Sequence, residues 1–106
     1  MPKATMQLLK DNIPLFVVLS DENRHLILQL LLERGRMNVN QLTEHLHLSR
    51  PAVSHHLKIM LQAQTVSVEQ IGKERFYSIA MHDATEKLQL LAQQFAIHCP
   101  NSQSVN

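Results

Sequence analysis

The strongest constraint on how this chain folds is the stretch from Asn38 to Ala63, where two short amphipathic segments follow one another with almost no linker. Asn38 can cap a helix whose third position is Gln41, a capping-box arrangement, and Val39, Leu42 and Leu46 then share one face at i, i+3 and i+7. That helix is expected to end near Leu46. His47, between Leu46 and Leu48, stands where a tight turn between helices often needs a left-handed residue, which His tolerates better than a β-branched residue does. Ser49 opens the second helix. Its hydroxyl can cap, Arg50 and Pro51 fall in the first turn where a missing amide costs little, and Val53, Leu57 and Met60 continue the inward stripe. Two helices joined by a turn of about four residues form a helix-turn-helix, here over about 38–63.

The outward face of the second helix has its own chemistry. Arg50, Ser54, His55 and Lys58 lie at i, i+4, i+5 and i+8, pointing together away from Val53 and Leu57. A helix fits the DNA major groove, where Arg and Lys donate to guanine and Ser or His bond base edges or phosphates. An ordinary solvated helix would be richer in Glu and Lys pairs. No acid occurs from Arg50 to Gln64, and a carboxylate on this face would repel phosphate.

After Ala63 the pattern alternates. Val66 and Val68 on one side, and Phe76, Tyr77 and Ile79 on the other, read as two strands, with Gly72 supplying the turn between Gln70 and Glu74. Lys73 and Arg75 decorate its tip. A basic hairpin over about 66–79, next to a helix-turn-helix, is a wing able to reach phosphates or the minor groove.

On the N-terminal side, Leu8, Leu9, Ile13, Leu15 and Phe16 suggest one or two short helical turns interrupted by Pro14 and leading to Leu19. Ser20, followed by Asp21 and Glu22, reads as a helix start, and Gly35 as its stop. Between them Leu26, Ile27, Leu30 and Leu31 form one buried stripe, broadened by Leu28 and Leu32. On the C-terminal side the helical period returns over about 82–98, with Ala84, Leu88, Leu91, Ala92 and Phe95 on one face, before a polar tail from Asn101 to Asn106. The fold class expected is mainly α with a β-hairpin wing, a single winged helix-turn-helix domain over 1–106.

Length and composition agree with this reading. With 106 residues, one domain with a modest core is expected, and a catalytic domain joined to a regulatory one is not. The net charge of +1 does not advertise nucleic-acid binding, so distribution matters more: Arg50, Lys58, Lys73 and Arg75 cluster with His55 and His56 against only Glu69 and Glu74. No apolar run approaches the roughly 20 residues of a membrane span, and Met1 to Lys10 lacks a signal-peptide core, so a cytoplasmic location is expected. Cys99 is the only cysteine, which leaves no internal disulfide and no thiolate cluster.

The run from Leu19 to Ile79 resembles the ArsR/SmtB family of bacterial repressors. The likeness rests on Leu19-Ser20-Asp21 with Arg24 ahead of an apolar helix, on the unbroken motif from Leu48 to Lys58, and on the hairpin ending Phe76-Tyr77-Ser78-Ile79. The resemblance implies a homodimer paired through its first and last helices, and repression relieved by an inducer or by thiol oxidation. The apolar face of the last helix supports pairing independently, since a small monomer could not easily cover it. On this basis Leu8, Leu9, Ile13, Leu88, Leu91, Ala92 and Phe95 are the expected dimer residues. Double-stranded DNA and a second copy of the chain are the expected partners. The expected DNA contacts are Ser49, Arg50, Pro51, Ser54, His55, His56, Lys58, Lys73 and Arg75, with His55 ranked above His56 because His56 should sit half-buried beside the core.

Departures from the family matter equally. Many metal-sensing members carry Cys-Val-Cys where this chain reads Asn38-Val39-Asn40, so soft ligands are missing there. Others bind zinc on the last helix, where the matching positions here are Met81, Asp83, Gln94 and Ile97, an incomplete set. His82, His98 and Cys99 are the remaining donors nearby, and His45 and His47 are too close together in a helix end to share a metal. No metal and no cofactor are expected, and the residues identify no inducer. Two alternatives stay open: a winged helix that binds protein, and a redox-responsive regulator using Cys99. Catalysis is not expected, for lack of a Gly-rich phosphate loop, a nucleophile-base pair or a paired-carboxylate cleft.

Overall fold

In the computed structural model, which describes residues 3–98, the chain begins with one helix, α1 (Lys3–Leu19), that runs straight through Pro14. The interruption expected at Pro14 does not occur. A proline inside a helix removes the bond to the carbonyl four residues back and costs about 3 kcal/mol or more. Here Pro14 is on the exposed side, while Thr5, Asn12, Leu15 and Val18 bury the opposite side on both flanks of it. Packing on both flanks therefore keeps the helix continuous. Cys99 and the polar tail 101–106 lie outside the described residues.

Helix α2 (Glu22–Arg34) starts one residue later than the sequence suggests. Its cap is Asp21, whose side chain accepts from the Asn23 amide at 2.8 Å, whereas the Ser20 hydroxyl donates back to the Val17 carbonyl at 2.7 Å and closes α1. Gly35 ends α2 with φ of +80°, a backbone region that glycine occupies without strain, and donates its amide to the Leu31 carbonyl at 3.0 Å. The buried stripe of α2 is Arg24, Ile27 and Leu31, with Leu28 and Leu30 packed beside it. Leu26 is 47% exposed and Leu32 70% exposed, so both fall off the stripe.

A two-residue strand, β1 (Met37–Asn38), precedes helix α3 (Val39–Glu44), and it is an element the sequence reading lacks. Helix α4 (Arg50–Gln62) follows, then strands β2 (Val66–Ile71) and β3 (Glu74–Ile79), and helix α5 (His82–His98). The sheet is antiparallel in the order β1-β3-β2, so β3 is central. Its register pairs Met37 and Val68 with Tyr77, and Val66 with Ile79, which stacks the apolar side chains on the core side of the sheet. Only Gly72 and Lys73 separate the two long strands. Gly72 has φ of +64° and Lys73 does not have a positive φ, the pattern of a type II′ hairpin turn.

One apolar cluster joins Val18 of α1, Ile27 and Leu31 of α2, Leu42 of α3, Val53, Leu57 and Met60 of α4, and Met37, Val66 and Tyr77 of the sheet. Every element except α5 thus contributes to the centre. Helix α5 instead lies antiparallel along α1: the Thr5 hydroxyl donates to Gln94 Oε1 at 3.0 Å, and Asn12 Nδ2 donates to the Lys87 carbonyl at 3.1 Å. The fold class is the one expected, mainly helical with a small antiparallel wing.

Candidate nucleic-acid interface

The orientation of α4 follows from its two ends. At its start the Ser49 hydroxyl accepts from the Ala52 amide at 3.3 Å, and Pro51 falls in the first turn, where its missing amide leaves no helical carbonyl unpaired. Along its length Val53, Leu57 and Met60 are fully buried and lock the helix rotation. That rotation turns Arg50, Ser54, His55 and Lys58 outward, all four exposed. Leu46 and Leu48, packed against the core, tether the α3–α4 turn. The turn needs no left-handed residue: His47 has a negative φ, and among the described residues Gln64, after α4, is the one non-glycine with a positive φ.

The wing meets the start of α4. A cleft of about 200 Å³ is lined by Asn38, Val39, Asn40, Arg50, Lys73, Glu74 and Arg75, so the first cation of α4 and both wing cations open onto one space. Its geometry is set by Asn38, whose Oδ1 accepts from the Gln41 amide at 2.8 Å while its Nδ2 donates to Glu74 Oε1 at 2.7 Å. One residue thus caps α3 and ties down the hairpin. Glu74 lines the same cleft as the three cations. Farther along the wing Arg36 pairs with Glu69 at 3.3 Å, and its guanidinium lies 5.6 Å from the Phe76 ring centre. Arg36 escaped the sequence reading because the strand beginning next to it, β1, is too short to show a period.

His56 takes a different side from the other outward candidates. It is 9% exposed, and its Nδ1 lies 3.0 Å from Arg24 Nη1. Burial pushes its imidazole below the ordinary histidine pKa, with the Asp21 carboxylate opposing and the Arg24 and His55 charges reinforcing the shift. A ring held this way supports α4 from behind. Arg24 was visible in the sequence only as part of a motif; a lone Arg in the first turn of an apolar helix carries no sign of what it bonds.

The residues expected to pair protomers divide three ways. Ile13, Leu88 and Ala92 are exposed, and Leu8, Leu9 and Phe95 are half-buried. Leu91 is 3% exposed and packs within the protomer, so it is unavailable to a partner.

At the place of the family's Cys-Val-Cys pair this chain presents two carboxamides. Both functional atoms of Asn38 are already engaged, and Asn40 offers a neutral carboxamide in place of a thiolate. Among the described residues no three His, Asp, Glu or Cys side chains come together.

An exposed, acid-free helix face of donors next to a cationic hairpin has the shape and charge to enter a DNA groove and touch its phosphates. Comparison with known proteins agrees. Residues 21–68, from the cap of α2 into β2, match the family model described as bacterial regulatory protein, arsR family. The chain is 39% identical over 64 residues to the transcriptional repressor SdpR of Bacillus subtilis, covering 60% of this chain and 70% of that protein. It is 32% identical over 79 residues to the arsenical resistance operon repressor of the same organism, covering 74% of this chain and 75% of that one. Among solved structures, the ArsR-like transcriptional regulator from Rhodococcus sp. RHA1 superposes with a TM-score of 0.74 at 27% identity, over 92% of this chain and 85% of that one. The chain belongs to the arsR family of bacterial regulatory proteins, and is a winged helix-turn-helix transcriptional regulator rather than an enzyme.

Proposed function

We propose that the chain is a sequence-specific repressor, acting as a single winged helix-turn-helix domain that pairs into a homodimer on a near-palindromic operator. The observation that carries this reading is the convergence of Arg50, Lys73 and Arg75 on one cleft beside the exposed Ser54, His55 and Lys58. In this reading Ser54 and His55 read base edges, Arg50 spans bases and phosphates, and Lys58, Lys73 and Arg75 hold phosphates, with Ser49 and Pro51 fixing where the helix starts. A homodimer would use the apolar residues that α1 and α5 leave exposed, Ile13 and Leu88 among them. The relatives from Bacillus subtilis are named as repressors, and the same role is assigned here by likeness. Regulation without the family's metal ligands is part of the proposal, and so is a cytoplasmic site of action. No helix among the described residues is long and apolar enough to cross a membrane.

The test is selection of bound duplexes from random DNA, followed by anisotropy titration across salt concentrations. Near-palindromic sites with half-sites about one helical turn apart are expected. Ser54→Ala and His55→Ala should each cost about 1–3 kcal/mol on the selected site and little on random DNA. Lys73→Ala and Arg75→Ala should weaken both, and each should lower the slope of log affinity against log salt by about 0.9 per subunit. Stoichiometric zinc, cadmium or arsenite should change operator affinity by less than about threefold. Failure to enrich any duplex, together with capture of a protein ligand by the same face, would replace this reading with that of a protein-binding winged helix.

A further inference from the structure

Arg24 is a buried cation whose guanidinium binds two separate parts of the fold. Its Nε donates to the Val18 carbonyl at 3.1 Å and its Nη2 to the Val17 carbonyl at 2.6 Å, while Nη1 meets His56 Nδ1 at 3.0 Å. α1 has no basic residue in its own last turn; this guanidinium, lent by α2, bonds two carbonyls at its end, sharing that of Val17 with Ser20. The same group holds the middle of α4. The end of α1 and the recognition helix are thereby joined through one side chain.

We propose that Arg24 and His56 form a proton-sensitive strut that positions α4, so that protonation of His56 detaches the helix from the end of α1 and weakens operator binding. The inference rests on the reading of α4 as the DNA-contacting helix. An arginine has only donors, so the bond requires a lone pair on Nδ1, which means a neutral ring with its proton on Nε2. A second proton would set N–H against N–H and cation against cation in a site that is 9% exposed. The charged groups facing the ring are Arg24 and Asp21 from α2 and the neighbouring His55 on α4; α1 contributes only its two carbonyls, through Arg24. The Asp21 carboxylate, 3.8 Å from Arg24 Nη1, offsets part of the repulsion. Because burial depresses the folded-state value, neutral His56 favours the assembled state above the ordinary histidine range, and that contribution is lost as the pH falls through the lowered value. Acidification makes any protein more positive, which by itself tightens binding to phosphate. A loss of affinity on acidification therefore has the opposite sign to this general effect.

The decisive experiment titrates the full chain against its selected operator from pH 8 to pH 5 at constant ionic strength, with circular dichroism confirming the fold at each pH. Wild type should lose operator affinity by at least about fivefold over this range. His56→Asn, which keeps an acceptor near the Nδ1 position but takes no proton, should show a flat profile or a gain, whatever its affinity at pH 8. In parallel, nitrogen-15 NMR of the free wild type should show His56 as the Nε2–H tautomer at pH 7.5, titrating below the ordinary histidine value. Arg24→Gln should raise that midpoint, which keeps the idea testable if His56→Asn does not fold. A ring protonated on Nδ1 at pH 7.5, or identical pH profiles for wild type and His56→Asn, would overturn the strut. If wild type binds no duplex at any pH, the DNA reading falls instead, and the NMR titration still decides whether the pair exists.

Discussion

The interior around α4 and the layer between α1 and α5 are built on opposite plans. Around α4 the apolar side chains, from Val18 and Ile27 to Val53, Leu57 and Met60, close into a single cluster, and the buried polar pair beside it, Arg24 and His56, is bonded to itself. Between α1 and α5 the buried set includes Thr5 and Asn12, and the Asn12 Oδ1 atom has no hydrogen-bond partner among the described residues. Ile13, Phe16 and Val17 meanwhile sit on the outside of α1, and Leu88, Leu90 and Ile97 on the outside of α5. The first region satisfies itself within one chain. The second buries polar side chains beside Leu15, Ala84 and Leu91 and leaves several large apolar ones outside, a distribution expected of helices whose apolar faces are completed by another molecule. That contrast supports the proposed homodimer through α1 and α5.

The contrast can be broken at several points. The largest effect should come from Leu57→Ala, which empties a fully buried site and should destabilise the protein by about 3 kcal/mol in urea unfolding. A loss under about 1 kcal/mol would mean that the α4 interior is looser than its burial indicates. Ile13→Asp should follow. With Ile13 53% exposed, the charge should leave the protomer folded but weaken self-association by about 2 kcal/mol in sedimentation equilibrium, and an unchanged association constant would remove α1 from the interface.

Ser49→Ala should cost about 1 kcal/mol of thermal stability through the lost cap of α4. An unaffected melting temperature would show that the Leu48 and Val53 packing alone fixes the helix start. The smallest effect belongs to Asn12→Leu. The two carbonyls that Asn12 bonds, Leu8 and Lys87, lie inside helices, so the exchange should shift stability by about 1 kcal/mol or less in either direction. A loss comparable to that of Leu57→Ala would show that the polar layer holds α5 in place.

The same two regions differ in how far they could be read from the chain. Around α4 the signals are local. Asn38 with Gln41, Ser49 with Pro51, and the Val53, Leu57, Met60 spacing act within one or two turns, and the structure contains all three as written. Hairpin chemistry is local too, since Gly72 meets the positive φ that a two-residue turn needs. The misreadings arise where distant partners decide. Ser20 and Asp21 are both good caps, and which one caps α2 was settled by the packing at the end of α1, where the Ser20 hydroxyl joins Arg24 at the Val17 carbonyl. Leu26 and Leu31 look alike in a Leu-rich helix, and only the direction from which the sheet and α4 approach separates exposed from buried.

What the sequence by itself determined is the helix-turn-helix, the wing and the outward set of Arg50, Ser54, His55 and Lys58, because capping, turn geometry and a 3.6-residue period act over a few residues. The tertiary structure alone decided that α1 continues through Pro14, that β1 joins β3, that Leu91 faces inward and that His56 bonds Arg24. Each of these depends on groups far apart in the chain. A helix tolerates a proline when packing on both sides exceeds the lost bond, and a two-residue strand exists only because β3 offers it an edge.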